Sequence, residues 1–346
     1  MKKIFSHLFF TIIFFAATNY LHAQQAKVEI VAFYNLENLF DTIDAPGVID
    51  EEFLPNGLYK WDSLKYTQKI ANMAKVISLI GTDISPDGAS ILGVSEIENR
   101  GVLEDIIKQD CLKDRNYKIV HFDSPDKRGI DVGLLYQPKY FTVTAAESIP
   151  VFIYRDDKSR IFTRDILHVT GTMDGEEVHI LVNHWPSRRG GQASSAPLRN
   201  IAADTGRKLF DSLALKNPNV NFITMGDLND DPIDASIKNH LRAHSDSKKV
   251  KPGNLYGPMI DMYKAGEGTL ANDTWSLFDQ IILSYGLLHD DDKGFKFLKS
   301  YIFKKRFMIQ NSGNFVGYPL RTFDNTVFMN GFSDHFPVYI VLTKKI

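Results

Sequence analysis

Asn221–Asp230 reads NFITMGDLND: a run of strand character stopped by Gly226-Asp227, with Asn229 two residues on. β-Branched and aromatic residues favour a buried strand, and Gly-Asp ends it in a turn. The same pattern recurs along the chain. Val28–Tyr34 (VEIVAFY) runs into Asn35 and Glu37, and Ser90–Ser95 (SILGVS) runs into Glu96. Val178–Val182 runs into Asn183 and His184. Trp275–Ser284 contains a strand and carries Asp279, and Ser333-Asp334-His335 precedes the closing strand Val338–Leu342. One Asn or Asp at a strand end is ordinary turn chemistry. Six such sites of carboxylate, amide and imidazole type predict a shared sheet edge where residues remote in sequence converge.

Between these strands, Leu64–Ile80 has helical spacing, with Ile70, Met73, Ala74, Ile77 and Ile80 on one face. Val102–Leu112 and Leu198–Leu215 also read as helices. Tyr117–Phe122, Asp131–Tyr136, Phe141–Ile153 and Ile166–Met173 read as extended, and Asp174-Gly175 is a hairpin signal. Asp230–Thr274 is polar and irregular. Hairpin-linked strands with intervening helices favour antiparallel or mixed sheets with helices outside. Residues 24–346 carry no repeat or low-complexity linker and are expected to form one domain.

The 346 residues are 44% hydrophobic and 24% charged, with 40 basic against 42 acidic side chains. This composition excludes disorder and collagen-like chains. It also lacks the basic excess of a broad nucleic-acid surface. Lys2 and Lys3 precede an apolar run, Ile4–Ala17, that is too short to span a bilayer. Residues 1–23 therefore read as a secretory signal, predicting export to a bacterial periplasm or exterior. Their removal leaves 38 basic against 42 acidic residues. Cys111 is the single cysteine, so no intramolecular disulfide can form. It is expected to be a buried, inert thiol.

Carboxylate and amide oxygens suit a hard divalent cation such as Mg²⁺. Two histidines with nearby aspartates suit proton transfer at oxygen. There is no zinc-type Cys/His spacing, phosphate-binding GxxxxGK[ST] or GxGxxG loop, or GxSxG nucleophile elbow. Metal-assisted hydrolysis of a phosphoester is the chemistry that remains.

These motifs resemble, in order, those of the endonuclease/exonuclease/phosphatase superfamily of DNase I-like metal-dependent phosphoesterases. They are FYNLENLFD, GVSEIEN, NHWPS, GDLND, WSLFDQIILS and SDHFPV, spanning Asn35 to His335. The resemblance implies an α+β, four-layer α/β/β/α sandwich of two mixed, mainly antiparallel sheets packed face to face. It implies hydrolysis by in-line water attack, without a covalent intermediate. It places Glu96, Asn35, Asp334 and Glu37 at the metal, with Mg²⁺ bound, or Mn²⁺ or Ca²⁺ in its place. It assigns catalysis to His335 oriented by Asp279, to Asp227 and Asn229 beside the attacking water, and to His184 at the leaving oxygen. Asp131 is a candidate to orient His184, whereas His179 reads as structural.

Arg188, Arg189 and Arg199 after NHWPS form a candidate phosphate clamp. Glu98, Asn99, Asp230 and Asp231 are expected to be solvated. Lys304, Lys305 and Arg306 read as a solvated hairpin face. The expected activity is nuclease-like phosphodiester hydrolysis, on nucleic acid or a small phosphodiester, by a monomer without a stable protein partner. The rivals are a phosphatase, a sphingomyelinase-like lipid phosphodiesterase and a catalytically silent binding module. Phe303, Phe307 and Met308, interleaved with basic residues, are the only hint of the lipid enzyme.

Overall fold

The computed structural model describes residues 26–288, 294–313 and 315–346; the expected signal at 1–23 lies outside them. Two large sheets dominate. The first has six strands, in the order Lys296–Ile302, Val338–Lys345, Ala26–Leu39, Ile91–Ile97, Asp131–Tyr136 and Lys118–His121. The second has seven, in the order Ala243–His244, Leu255–Tyr256, Asp279–Ser284, Asn221–Asp227, Glu176–His184, Ile166–Met173 and Phe141–Ile149. Most pairings are antiparallel. Ala26–Leu39 with Ile91–Ile97, Glu176–His184 with Asn221–Asp227, and Ala243–His244 with Leu255–Tyr256 are parallel.

Strand periodicity builds the layers. Along the first strand, Val31 and Phe33 point into a core shared with Ile180, Val182, Ile223, Met225 and Ile281 of the other sheet. Their neighbours Ile30, Ala32 and Tyr34 point the other way. They pack on Ile70, Met73, Ala74 and Ile77 of the helix Ser63–Leu79 and on Val102 and Ile106 of the helix Arg100–Ile107. On the far side, Leu181, Phe222 and Ile282 pack on Ala202, Ala203 and Phe210 of the helix Gln192–Lys216. Three apolar interiors thus separate four layers, α/β/β/α, as expected.

Local departures have physical causes. The first strand continues to Leu39 rather than ending at Tyr34, through an irregularity after Asn35. Lys296–Ile302 was not anticipated; its Lys296 and Lys299 are typical of a protected sheet edge. The segment Asp230–Thr274 is partly ordered, with a π-helical turn Ser236–Leu241 and a short helix Ile260–Lys264. Cys111 is exposed, contrary to expectation. Phe303 and Met308 are buried in the helix-side interior, and Phe307 packs against it. These apolar residues complete a core and leave no apolar loop there for a lipid surface. Beside them, Lys304 lies over Trp275 and Lys305 pairs with Asp83.

Candidate active site

The site forms where the interior between the sheets ends. His184 is the register partner of Asp227, and Asp227 of Asp279, across three adjacent strands. Each lies two residues from an apolar member of that interior: Val182, Met225 and Ile281. A period of two therefore turns all three toward the facing sheet. That sheet contributes Asn35, which follows Val31 and Phe33 on the same face. Gly226 permits the close spacing, since a Cβ there would lie 2.3 Å from the Asn183 carbonyl oxygen.

Glu96 sits in a bulge between Ser95 and Ile97 with φ +57°. Glu37, Asn38 and Asn229 also have positive φ. Such backbone costs of order 1 kcal/mol or more per residue and is held only where surrounding contacts fix it. Here the contacts are specific. Glu96 Oε2 accepts from Asn38 N at 2.8 Å. Asp227 Oδ1 accepts from Asn229 N at 3.0 Å, and the Asn229 amide donates to Trp185 O at 3.0 Å.

The Ser333-Asp334-His335 turn is fastened to the first strand. Ser333 Oγ donates to Asn35 O at 2.7 Å and accepts from His335 N at 3.0 Å. His335 Nδ1 meets Asp279 Oδ2 at 2.7 Å, and its Nε2 lies 3.9 Å from both Asp227 Oδ2 and Asp334 Oδ1. Burial opposes protonation of His335, but Asp279, then Asp227 and Asp334, outweigh it and raise its pKa well above the ordinary histidine value. Burial, with Asp279 and Glu96 adding repulsion against an opposing pull from His335, pushes Asp227 up to about 7. His184 is driven far the other way by burial and by Arg164, Arg128 and His335, which hold it neutral.

Glu96, His184 and Asp227 each offer a donor atom, all within 4.8 Å of one another. Two close carboxylates and one neutral imidazole fit a divalent cation, which would relieve the repulsion now raising Asp227. The other residues expected at the metal are engaged otherwise. Asn35 Oδ1 accepts from Glu37 N at 2.9 Å, so its amide presents Nδ2 to Asp227 Oδ2 at 3.1 Å as a hydrogen-bond donor. Glu37 Oε2 accepts from Thr322 N at 2.7 Å and from Thr322 Oγ1, and lies 3.6 Å from Lys69 Nζ. Asp334 Oδ2 accepts from Arg321 Nη2 at 2.8 Å. Asn35 and Glu37, expected at the metal, are thus each held in place by neighbouring groups of the protein.

The arginine clamp is corrected. Arg199 is wholly buried, 2.7 Å from Asp230, and donates to Pro186 O and Ser195 Oγ. Arg188 pairs with Asp230, Asp231 and Asp234, donates to Asn229 O and covers the Phe278 ring. Both knit loops together, and Asp230 and Asp231 are buried partners rather than solvated acids. Only Arg189 faces open space, in a cavity shared with Lys127, Arg128 and Phe162. Glu98 is buried and accepts from Asp41 N, while Asn99 caps the helix Arg100–Ile107. Both Asp131 carboxylate oxygens are taken up by His121 and Ser124 rather than by His184.

Sequence reasoning missed three cations. Buried Arg164 donates to His184 O and Trp185 O, holding the strand end. Buried Lys69 donates to Thr322 Oγ1 and to Phe332 O. Arg321 lies between Asp334 and Glu37 with its side chain half exposed, and borders two cavities. Each is a single basic residue in a helix or loop without a motif, so only the fold reveals its partner.

Solved structures share this architecture. A family protein from Bacteroides thetaiotaomicron is 16% identical, covering 93% of this chain and 100% of its own, with a TM-score of 0.55. The mannosyl-6-phosphatase of the same organism is 16% identical over 91% and 99%, with a TM-score of 0.54. Truncated Caenorhabditis elegans TDP2 is 18% identical over 91% and 97%, with a TM-score of 0.53. At these identities the likeness shows the fold alone. No curated protein matches the sequence. The Endonuclease/Exonuclease/phosphatase family model, however, matches residues 30–344, nearly the whole described chain. The chain belongs to that family of phosphoester hydrolases.

Proposed function

We propose that this protein is an exported, monomeric, Mg²⁺-dependent phosphodiesterase that cleaves its substrate by in-line attack of water. The observation that carries the diester reading is the shape of the ground beside His335. Arg321 and Asp334 form a saddle between two cavities, about 250 and about 120 Å³ in volume. Phe53, Tyr59 and Phe323 line one, and Phe315, Tyr318 and Met329 line the other. A phosphodiester has two organic substituents, and the saddle offers an aromatic-lined arm to each. The near balance of charge favours a small diester or weakly held nucleic acid over tight binding of long DNA.

Glu96, Asp227 and His184 would hold the cation, which when bound neutralises charge on the phosphoryl group. The chain's own groups do the rest. Asp279 fixes the His335 tautomer and supports its charge, as an orienting carboxylate does in other acid–base sites. His335 and Asp227 face each other as an acid and a base, and the proton of the attacking water passes into this pair. Asn35 directs its Nδ2 onto Asp227 and keeps that carboxylate aimed. Arg321 offers its exposed edge to a phosphate oxygen. Neutral His184 suits a ligand or hydrogen-bond donor better than an acid for the leaving oxygen.

A phosphatase is the second reading, favoured by Arg321, whose exposed guanidinium could neutralise the extra charge of a monoester. Parallel assays of bis-p-nitrophenyl phosphate and p-nitrophenyl phosphate, with and without EDTA, separate the two. Mg²⁺-dependent cleavage of the diester supports the proposal, and cleavage of the monoester alone overturns it.

A further inference from the structure

A third cavity, about 640 Å³, exceeds both arms of the saddle and has no part in the hydrolysis described above. It shares Asn38, Phe53 and Tyr59 with the arm of about 250 Å³, so the two spaces adjoin. Its Asn38 wall touches the metal centre, because Glu96 Oε2 accepts from Asn38 N at 2.8 Å. Three cations line it: Lys127 and Arg128 from the loop before the strand Asp131–Tyr136, and Arg189 from the loop after His184.

The loop of Lys127 and Arg128 is firmly built. Asp126 is buried and pairs with buried Arg164 at 3.1 Å. Asp126 Oδ1 accepts from Arg128 N at 2.9 Å, and its carbonyl accepts from Gly129 N at 3.0 Å. The Lys127 carbonyl accepts from Ile49 N at 2.7 Å. Arg164 also donates to His184 O and Trp185 O. One buried guanidinium therefore ties the cationic loop to the strand end that carries His184.

The charge here is gathered but not neutralised. Burial first, then Arg128 against the pull of Asp126, lowers the Arg164 pKa, so these two cations stand close enough to repel. Lys127 and Arg189 make no ion pair among the described residues. With Arg164 behind the wall, four cations face two acids, Asp126 and Glu52. Like charges held together at a partly buried place repel, and an anion relieves the repulsion.

We propose that this cavity is a second phosphate subsite, which takes a phosphate carried on one organic arm of the substrate while the scissile phosphate lies at the metal centre. The proposal rests on the phosphodiesterase reading and narrows its substrate to a diester with a second phosphate. Arg128 and Arg189 supply planar forks for phosphate oxygens, and Lys127 supplies a point charge. Phe53 and Tyr59 form the wall along which the intervening organic group passes.

Calorimetry on the purified full-length protein, with EDTA present to prevent turnover, tests this. Thymidylyl-thymidine is compared with its 5′-phosphorylated and 3′-phosphorylated forms, and glycerophosphoinositol with its 4-phosphate. The expected result is that at least one phosphorylated form binds about 10–100-fold more tightly than its parent. Whichever parent shows the gain identifies a nucleoside or a polyol as the carrier of the second phosphate. In Lys127→Gln, Arg128→Gln and Arg189→Gln, whose side chains are exposed, the ratio should fall, and in the triple variant it should approach one. No gain with either parent, or a gain that survives the triple substitution, overturns the proposal. Mg²⁺-dependent hydrolysis of bis-p-nitrophenyl phosphate, which has no second phosphate, tests the phosphodiesterase reading separately, so the two failures are told apart.

Discussion

Two arginine–aspartate pairs border the candidate active site and behave in opposite ways. Arg199–Asp230 is sealed: the guanidinium is wholly buried and the pair spans 2.7 Å. Arg321–Asp334 is nearly as short, at 2.8 Å, yet half of the arginine side chain is exposed. The sealed pair anchors the loop after His184 to the loop that carries Asn229. The open pair sits beside His335 and borders two cavities. The same chemistry serves as architecture in one place and, under the proposed function, as a substrate contact in the other. Burial and the surrounding partners decide which.

The comparison can be broken by substitution. Arg199→Leu removes the closer and wholly buried of the two cations on Asp230, leaving Arg188 at 3.3 Å, and should cost about 3 kcal/mol in urea unfolding. Arg321→Ala should cost under about 1 kcal/mol by the same measurement. In hydrolysis assays the order reverses. Arg321→Ala should raise KM about 10–100-fold by loss of a charged hydrogen bond worth about 1.5–3 kcal/mol. Arg321→Lys should recover only part of this, because an ammonium lacks the planar fork. If Arg321→Ala unfolds the protein while Arg199→Leu does not, the assignment is inverted.

A buried acid without an ion pair among the described residues sharpens the contrast. Glu29 is buried, and its Oε2 has no hydrogen-bond partner among the described residues. Burial first, then Asp174, pushes its pKa to about 7 against the pull of Ser90. The folded state therefore holds this proton more tightly than the unfolded chain. Its contribution to stability is present at acid pH and is lost as pH rises from about 4.5 to about 7. Glu29→Gln should raise the melting temperature above pH 7, by the equivalent of about 2 kcal/mol. It should change little at pH 4. A melting series across that range in both proteins checks it.

The contrast also shows what the sequence could and could not reveal. Asp227, Asp279, His184, Glu96 and His335 were legible because each ends or adjoins a strand, and a period of two specifies the face. The four layers were legible for the same reason, through Ile30, Ala32 and Tyr34 against Val31 and Phe33. Loop cations were not. Arg188 and Arg199 looked free beside NHWPS because their partners Asp230, Asp231 and Asp234 lie over thirty residues on. Those acids in turn looked like solvated loop residues. Asn35 and Glu37 were placed at the metal by resemblance, and residue type alone does not show that Asn35 bonds Asp227 and Glu37 bonds Thr322. The Lys296–Ile302 strand escaped because the lysines that suit an edge break its apolar pattern.

The central claim is that Glu96, Asp227 and His335 form one metal-dependent hydrolytic centre. The most direct test is Mg²⁺-dependent hydrolysis of bis-p-nitrophenyl phosphate by wild type, Glu96→Ala and His335→Ala, each shown to be folded. The account predicts that EDTA abolishes wild-type activity and that each substitution lowers kcat by about 10²–10⁴. Undiminished Mg²⁺-dependent turnover in either variant would contradict it.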